Sequence, residues 1–189
     1  MVKSARILRP KFTTHADGSD AVLTLHEIVG ERDGPTIGVS AVIHGNEPTG
    51  VEIILDLYRF LRDKPLKGRL MLLPVANPRA YAVNHRFTPI DELNLNREFP
   101  GDPDGNYSQQ LAAAITREFL EKIDIHFDYH SGTDRPTVDY VYMSLDEGLS
   151  RSFGAKILYR PQAGKEGTVF AGTTKSVTVD RRKIPVVVA

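Results

Sequence analysis

The chain has 189 residues, of which 41% are hydrophobic, and its 24 basic and 24 acidic side chains cancel. This balance suits one globular domain, excludes a disordered or collagen-like chain, and leaves no global field to draw nucleic acid or an anionic membrane. With no cysteine present, disulfides, thiolate metal sites and cysteine nucleophiles are excluded, so any metal must be held by His, Asp or Glu.

The opening residues, Met1-Val2-Lys3-Ser4-Ala5-Arg6, lack the apolar stretch of a secretory signal. No apolar run approaches the roughly 18 residues needed to span a bilayer. A cytoplasmic protein without membrane contact is the expectation. Val22 to Val29 reads as a strand, and Glu31 to Pro35 as a turn. Thr36 to Ile43 is a short apolar run suited to a strand covered on both faces. It leads into His44-Gly45-Asn46-Glu47-Pro48. Val51, Ile54, Leu55, Tyr58 and Leu61 then fall at helical spacing. Arg69 to Ala76 is a second buried strand.

Residues 77–107 carry several prolines and glycines without a clear period, and a loop of that length inside a compact domain is usually functional. Ser108 to Ile123 reads as a helix with Leu111, Ile115, Phe119 and Leu120 on one face and Ser108 as a candidate N-cap. Ile125 to His130 is a strand in which Ile125, Phe127 and Tyr129 alternate with His126, Asp128 and His130. Val138 to Met143 reads as a strand, Asp146 to Phe153 as a short helix, Ala171 to Lys183 as helical, and Ile184 to Ala189 as a final strand. Strands alternating with helices predict an α/β three-layer fold around a mixed, largely parallel sheet.

A His-x-x-Glu pair is by itself a common accident. His44 and Glu47, however, fall between a buried strand and a helix, and ligands bind at that carboxyl edge of an open α/β sheet. A hydrolytic zinc site commonly takes two His and one carboxylate and keeps one position open. His130, at the end of another strand, is placed to be the second histidine. His126 lies deeper in that strand and reads as a core residue. Arg79, Arg86, Asn96 and Arg97 lie on or beside the long loop, and an arginine's planar fork suits a carboxylate.

Four ordered motifs carry a resemblance: His44-Gly45-Asn46-Glu47, Asn77-Pro78-Arg79-Ala80, Asn94-Leu95-Asn96-Arg97-Glu98-Phe99-Pro100-Gly101 and Asp128-Tyr129-His130. The chain resembles the succinylglutamate desuccinylase/aspartoacylase family, deacylases related to the zinc carboxypeptidases. The resemblance implies a zinc carboxypeptidase-like fold and zinc-dependent hydrolysis of the amide bond of an N-acyl amino acid. It further implies one zinc per chain on His44, Glu47 and His130, a carbonyl-polarising Arg86, and a substrate carboxylate on Asn96 and Arg97. Arg79 matches only a turn motif and receives no catalytic role.

Three departures from the family pattern stand out. Asn94 replaces the usual Asp of Asp-Leu-Asn-Arg, and Glu92 stands where Gly is common; neither is expected to touch the metal ligands. The family's general-base glutamate directly follows a strand like Ile184 to Val188, whereas this chain stops at Ala189. A single domain over 1–189 is expected, lacking the family's smaller C-terminal β domain, binding metal but turning over weakly. A carboxypeptidase-like peptidase and a non-catalytic metal-binding or ligand-binding domain are the alternatives.

Overall fold

In β6 (Lys67–Leu73), Leu70 and Leu72 pack to one side while Met71 and Leu73 pack to the other. Such two-sided burial is what a continuous apolar strand requires, and it sets the architecture. The computed structural model describes residues 2–132, 138–143, 145–159 and 171–189. Helix α1 (Thr49–Leu61) covers one face. Its Val51 and Ile54 join Val39 and Ala41 of β5 (Arg32–Ala41) and Ile28 of β4 (Leu25–Gly30). The other face is covered by α3 (Tyr107–Glu118), which comes after the short helix α2 (Pro78–Ala82). Leu111 and Ile115 of α3, with Phe119, meet Leu25 and Met71. Helix, sheet and helix form the three layers.

The remaining strands are β1 (Val2–Leu8), β2 (Lys11–Thr14), β3 (Asp20–Val22), β7 (Ile125–Tyr129), β8 (Tyr140–Tyr142), β9 (Ile157–Tyr159) and β10 (Val186–Val188), with helix α4 (Glu147–Ser152) between β8 and β9. The main sheet runs β1-β4-β6-β5-β7-β10-β8-β9, and β2 and β3 pair separately. The central block β6, β5, β7 and β10 is parallel throughout. On one side of the block β4 meets β6 and β1 meets β4 antiparallel; on the other β8 meets β10 antiparallel and β9 runs parallel to β8. At the β1 side, the buried Glu27 of β4 accepts from Arg6 Nε at 2.5 Å and pairs with Arg69, so its charge is matched across three strands. Among the described residues, no helix is long and apolar enough to cross a membrane.

Several elements differ from the reading of the sequence. The turn expected at Glu31 to Pro35 is a bend at Glu31, after which β5 begins, with an irregular register between Arg32 and Thr36. The long loop contains α2 and a 3-10 turn at Leu95–Arg97. The N-cap of α3 is Asn106, not Ser108. Asn106 accepts from Gln109 N at 3.0 Å, and Gln109 returns the bond to Asn106 N, which closes a capping box. Ser108 instead donates through Oγ to Asp91 at 2.8 Å, tying the helix start to the loop. The α-helix ends at Glu118, followed by a 3-10 turn at Leu120–Lys122. The helical stretch near the C-terminus runs over residues 174–181, most of it a π-helical turn at Ser176–Arg181.

Glu92 has φ 60°, the left-handed region that favours glycine, which explains in backbone terms why a glycine suits this position. A side chain there costs about 1 kcal/mol net of glycine's greater freedom in the unfolded chain. Glu92→Gly is therefore expected to raise the Tm by roughly 2–4 °C in a thermal melt. An unchanged or lower Tm would show that contacts of the Glu92 side chain offset the strain.

Candidate metal and substrate site

Adjacent parallel strands bring the candidate ligands together. β5 and β7 pair from Ile37–Ile125 to Ala41–Tyr129, so the segments that leave their carboxyl ends emerge side by side. His44 and Glu47 lie just beyond the first and His130 just beyond the second. The exit from β5 is strained: Val42, a β-branched residue, has φ 57°. Backbone bonds hold it, with Ala76 N donating to Ala41 O and Asn77 N to Val42 O. Gly45 is needed because α2 presses on this turn; a Cβ there would come 2.0 Å from the carbonyl carbon of Ala80. Asn77 caps α2 by accepting from Ala80 N and gives its amide to Thr88 Oγ1 at 2.9 Å, so the strand end, the turn and the loop are one assembly.

Glu47 is 5% exposed and is the hub. Its Oε1 lies 2.9 Å from His44 Nδ1 and accepts from Arg86 Nη1 at 2.8 Å. Its Oε2 lies 2.8 Å from His130 Nδ1. Burial alone raises its pKa, but His130 and His44 outweigh that and hold the carboxyl far below the usual carboxylate range. Burial likewise disfavours a charged His130, yet Asp128 and Glu47 prevail and push its pKa up to about 10. One ligand atom from each of His44, Glu47 and His130 lies within 4.8 Å of the others.

Two imidazole nitrogens and one carboxylate on a rigid strand edge are the donor set a catalytic divalent metal takes, so the residues fit such an ion. Both histidines are oriented from behind. Asn94 Oδ1 accepts from Asn96 N at 3.0 Å, which fixes the amide with its oxygen toward His44. His44 Nε2, 3.1 Å away, is therefore the donor, leaving Nδ1 for the metal. This corrects the expectation that Asn94 stands clear of the ligands. His130 Nε2 lies 3.5 Å from Asp128 Oδ2, and the buried Asp128 also accepts from Ser40 Oγ and Thr174 Oγ1 at 2.7 and 2.9 Å. Binding a metal would release the proton that His130 otherwise holds.

The ligands open on a cavity of about 760 Å³ that Arg86, Asn96, Arg97 and Lys175 also line, with Tyr140, Tyr142 and Val188 contributing apolar wall. The six residues to which the sequence resemblance gives site roles thus border one space. Asn96 accepts from Thr174 N at 3.1 Å through Oδ1, and Arg97 donates to Asn96 O at 2.6 Å. Arg79 lies apart, lining a separate cavity with His15 and Tyr107. His126 is a core residue, fully buried, 2.8 Å from Ser40 Oγ and packed edge-on against Phe119. Asp128 and Lys175 were missed by the sequence reading. Asp128 had a signal, its position two residues before His130 on the same strand face, whereas Lys175 had none.

A family profile described as the succinylglutamate desuccinylase/aspartoacylase catalytic domain matches residues 33–173. The N-alpha-acetyl-L-2,4-diaminobutyric acid deacetylase of Halomonas elongata is 36% identical over 112 residues, covering 59% of this chain and 33% of that protein. The succinylglutamate desuccinylase of Shewanella pealeana is 30% identical over 132 residues, covering 62% of this chain and 37% of that protein. The chain thus spans about a third of the length of these curated relatives. The crystal structure of a succinylglutamate desuccinylase/aspartoacylase from Rhodobacter sphaeroides superposes with a TM-score of 0.79 at 27% identity, over 99% of this chain and 57% of that one. The three-layer, carboxypeptidase-like architecture is common to both.

Proposed function

The chain belongs to the succinylglutamate desuccinylase/aspartoacylase catalytic-domain family, and from that membership we propose that its site hydrolyses the amide bond of a small N-acyl amino acid with a zinc ion held by His44, Glu47 and His130. The observation that carries this reading is the convergence of both histidines on Glu47, beside Arg86, at the edge of a cavity large enough for such a substrate. A metal bound there supplies Lewis-acid polarisation of the scissile carbonyl and acidifies water.

The protein's own groups do the rest of the positioning. Arg97 and the amide NH2 of Asn96 bind the substrate carboxylate, which fixes the distance from that end to the reacting carbon. Arg86 places positive charge where the carbonyl oxygen becomes anionic. Asn94 and Asp128 hold the two imidazoles in the orientation that ligation needs. Tyr140, Tyr142 and Val188 shield one side of the cavity from water.

The relatives' names span two substrate chemistries, an acetylated diamino acid with a side-chain amine and a succinylated amino acid with additional carboxylates. Either is an N-acyl amino acid. A second reading, metal and ligand binding without turnover, is favoured by one observation. The carboxylates among the described residues lining the cavity are Glu47 and Asp128, both engaged with His130. Amine release from a panel of N-acyl amino acids by the zinc-loaded protein, with short peptides as comparison, tests the proposal. Release from the N-acyl amino acids in preference to the peptides is the expected result. Cleavage of peptides alone would overturn it in favour of a peptidase. Ligand binding with no release from any substrate would establish the second reading.

A further inference from the structure

Three polar side chains stand together inside the core, on the α3 side of the sheet. β5 and β7 pair Gly38 with His126 and Ser40 with Asp128, so Ser40, His126 and Asp128 share one face. Each is at most 1% exposed. Their cover is apolar. Phe119 packs edge-on to His126 at 5.6 Å, and a Cβ on Gly38 would come 2.6 Å from Ile123 and 3.0 Å from Phe119. Apolar side chains would fill this space without desolvating a hydroxyl, an imidazole and a carboxylate. Asp128 orients His130, whereas Ser40 and His126 have no part in the chemistry described so far.

The direction of their hydrogen bonds is fixed. Ser40 has one hydroxyl proton, and Asp128 Oδ1, 2.7 Å away, accepts it. His126 Nε2, 2.8 Å from the same hydroxyl oxygen, must then be a donor. Its Nδ1 is buried with no hydrogen-bond partner among the described residues, so a proton there would be unpaired. Burial accordingly lowers the His126 pKa, against the pull of Asp128. His126 is the neutral Nε2–H tautomer, and a chain of donors runs from it through Ser40 to Asp128, each bond polarising the next. Thr174 Oγ1 holds the other carboxylate oxygen, Oδ2, at 2.9 Å, and Oδ2 is the one 3.5 Å from His130 Nε2. With both oxygens bound, the plane of the carboxylate is set.

We propose that Ser40 and His126 are positioning residues for the metal: through Asp128 they set the orientation of the His130 ring, Ser40 by pinning Oδ1 and His126 by directing the Ser40 hydroxyl. The inference rests on His130 being a metal ligand, as read above. Removing the Ser40 hydroxyl leaves Oδ1 a buried acceptor without its donor, and the carboxylate is then free to turn away from His130.

Zinc affinity, measured by competition with a chromophoric chelator, tests this without any turnover. Losing a group that orients a ligand costs roughly 10–100-fold in affinity, and Ser40 lies one bond further out, so Ser40→Ala is expected to weaken zinc about tenfold. His126→Met should give a smaller loss in the same direction. His126→Gln, whose amide N–H can take the place of Nε2–H, should recover the parent affinity. Ile54→Val, a core substitution in α1 on the opposite face of the sheet, should lower the Tm and leave zinc affinity unchanged, which separates positioning from plain destabilisation.

The tautomer gives a second readout on the unaltered protein. Ring nitrogen shifts in NMR should show His126 neutral and protonated at Nε2, with and without zinc. A proton on His126 Nδ1 in place of Nε2 would reverse the chain and overturn the proposal. Unchanged zinc affinity in Ser40→Ala, beside loss of zinc in His130→Ala, would overturn it and leave the metal reading intact. Unchanged zinc binding in His130→Ala would overturn both. Should Ser40→Ala lose its cooperative melt, the comparison of His126→Met with His126→Gln decides.

Discussion

His130→Ala is expected to reduce bound zinc from full occupancy to background after metal loading and desalting. His130 is one of the three groups proposed to hold the metal, and its Nδ1 sits 2.8 Å from Glu47 Oε2. Losing a residue that merely orients a ligand costs roughly 10–100-fold in metal affinity, and losing the ligand itself costs more. Removing the imidazole also strips Glu47 and Asp128 of a shared cationic partner, so two buried carboxylates are left closer to uncompensated. The variant should consequently melt lower than the parent even without metal. His15→Ala, outside this cavity, should keep full zinc content. Full occupancy in His130→Ala would remove His130 from the ligand set and direct attention to Asp128, the nearest remaining carboxylate on that strand.

Arg86→Ala is expected to lower kcat by about 10²–10³ with a smaller change in KM, the loss found when one donor to a developing oxyanion is removed. Arg97→Ala should show the converse split, a raised KM with kcat largely kept, because a carboxylate contact made equally in ground and transition states is uniform binding. The geometry separates the two arginines: Arg86 bonds the Glu47 carboxylate directly, while Arg97 bonds the neighbouring backbone of Asn96. Since Arg86 also supports Glu47, its removal should be assayed at measured zinc occupancy. A loss of rate that disappears once occupancy is equalised would make Arg86 a support for Glu47 and not a group acting on the substrate.

Local patterns in the sequence were enough for much of this. The stripe Val51, Ile54, Leu55 and Tyr58 defined α1, the short apolar runs defined β5 and β6, and the alternation of Ile125, Phe127 and Tyr129 with polar residues defined β7, because burial on one or two faces leaves a pattern that survives without tertiary information. β1 and β9 left no such mark. Both are edge strands, and residues such as Lys3, Ser4 and Arg6 are exposed, so apolar alternation was not imposed on them. His44 and Glu47 were legible as a pair three residues apart, and His130 as the end of a strand. The contacts that orient them were not legible. Asn94 meets His44 across 50 positions and Thr174 meets Asp128 across 46, and no local pattern encodes which of many polar loop residues will close such a distance. The Asn106 cap was missed for a narrower reason: Ser108 is an equally good capping residue type, and the choice was made by Asp91, which already takes the Ser108 hydroxyl.

The place of β10 in the sheet has a consequence for how the molecule is made. It is the last of the described strands in chain order, yet it lies inside the sheet, parallel to β7 and antiparallel to β8. As a nascent chain emerges, β7 is already available and β8 and β9 can pair with each other, but β7 and β8 have no direct ladder between them. Each presents an open edge until residues 186–188 arrive. That interval is when intermolecular strand pairing is most accessible, and the slow, long-range closure of a parallel pair prolongs it. The same closure brings Tyr140 and Tyr142 to the cavity beside His130, so His44, Glu47 and His130 at the ends of β5 and β7 can meet before the tyrosine wall on β8 is in place.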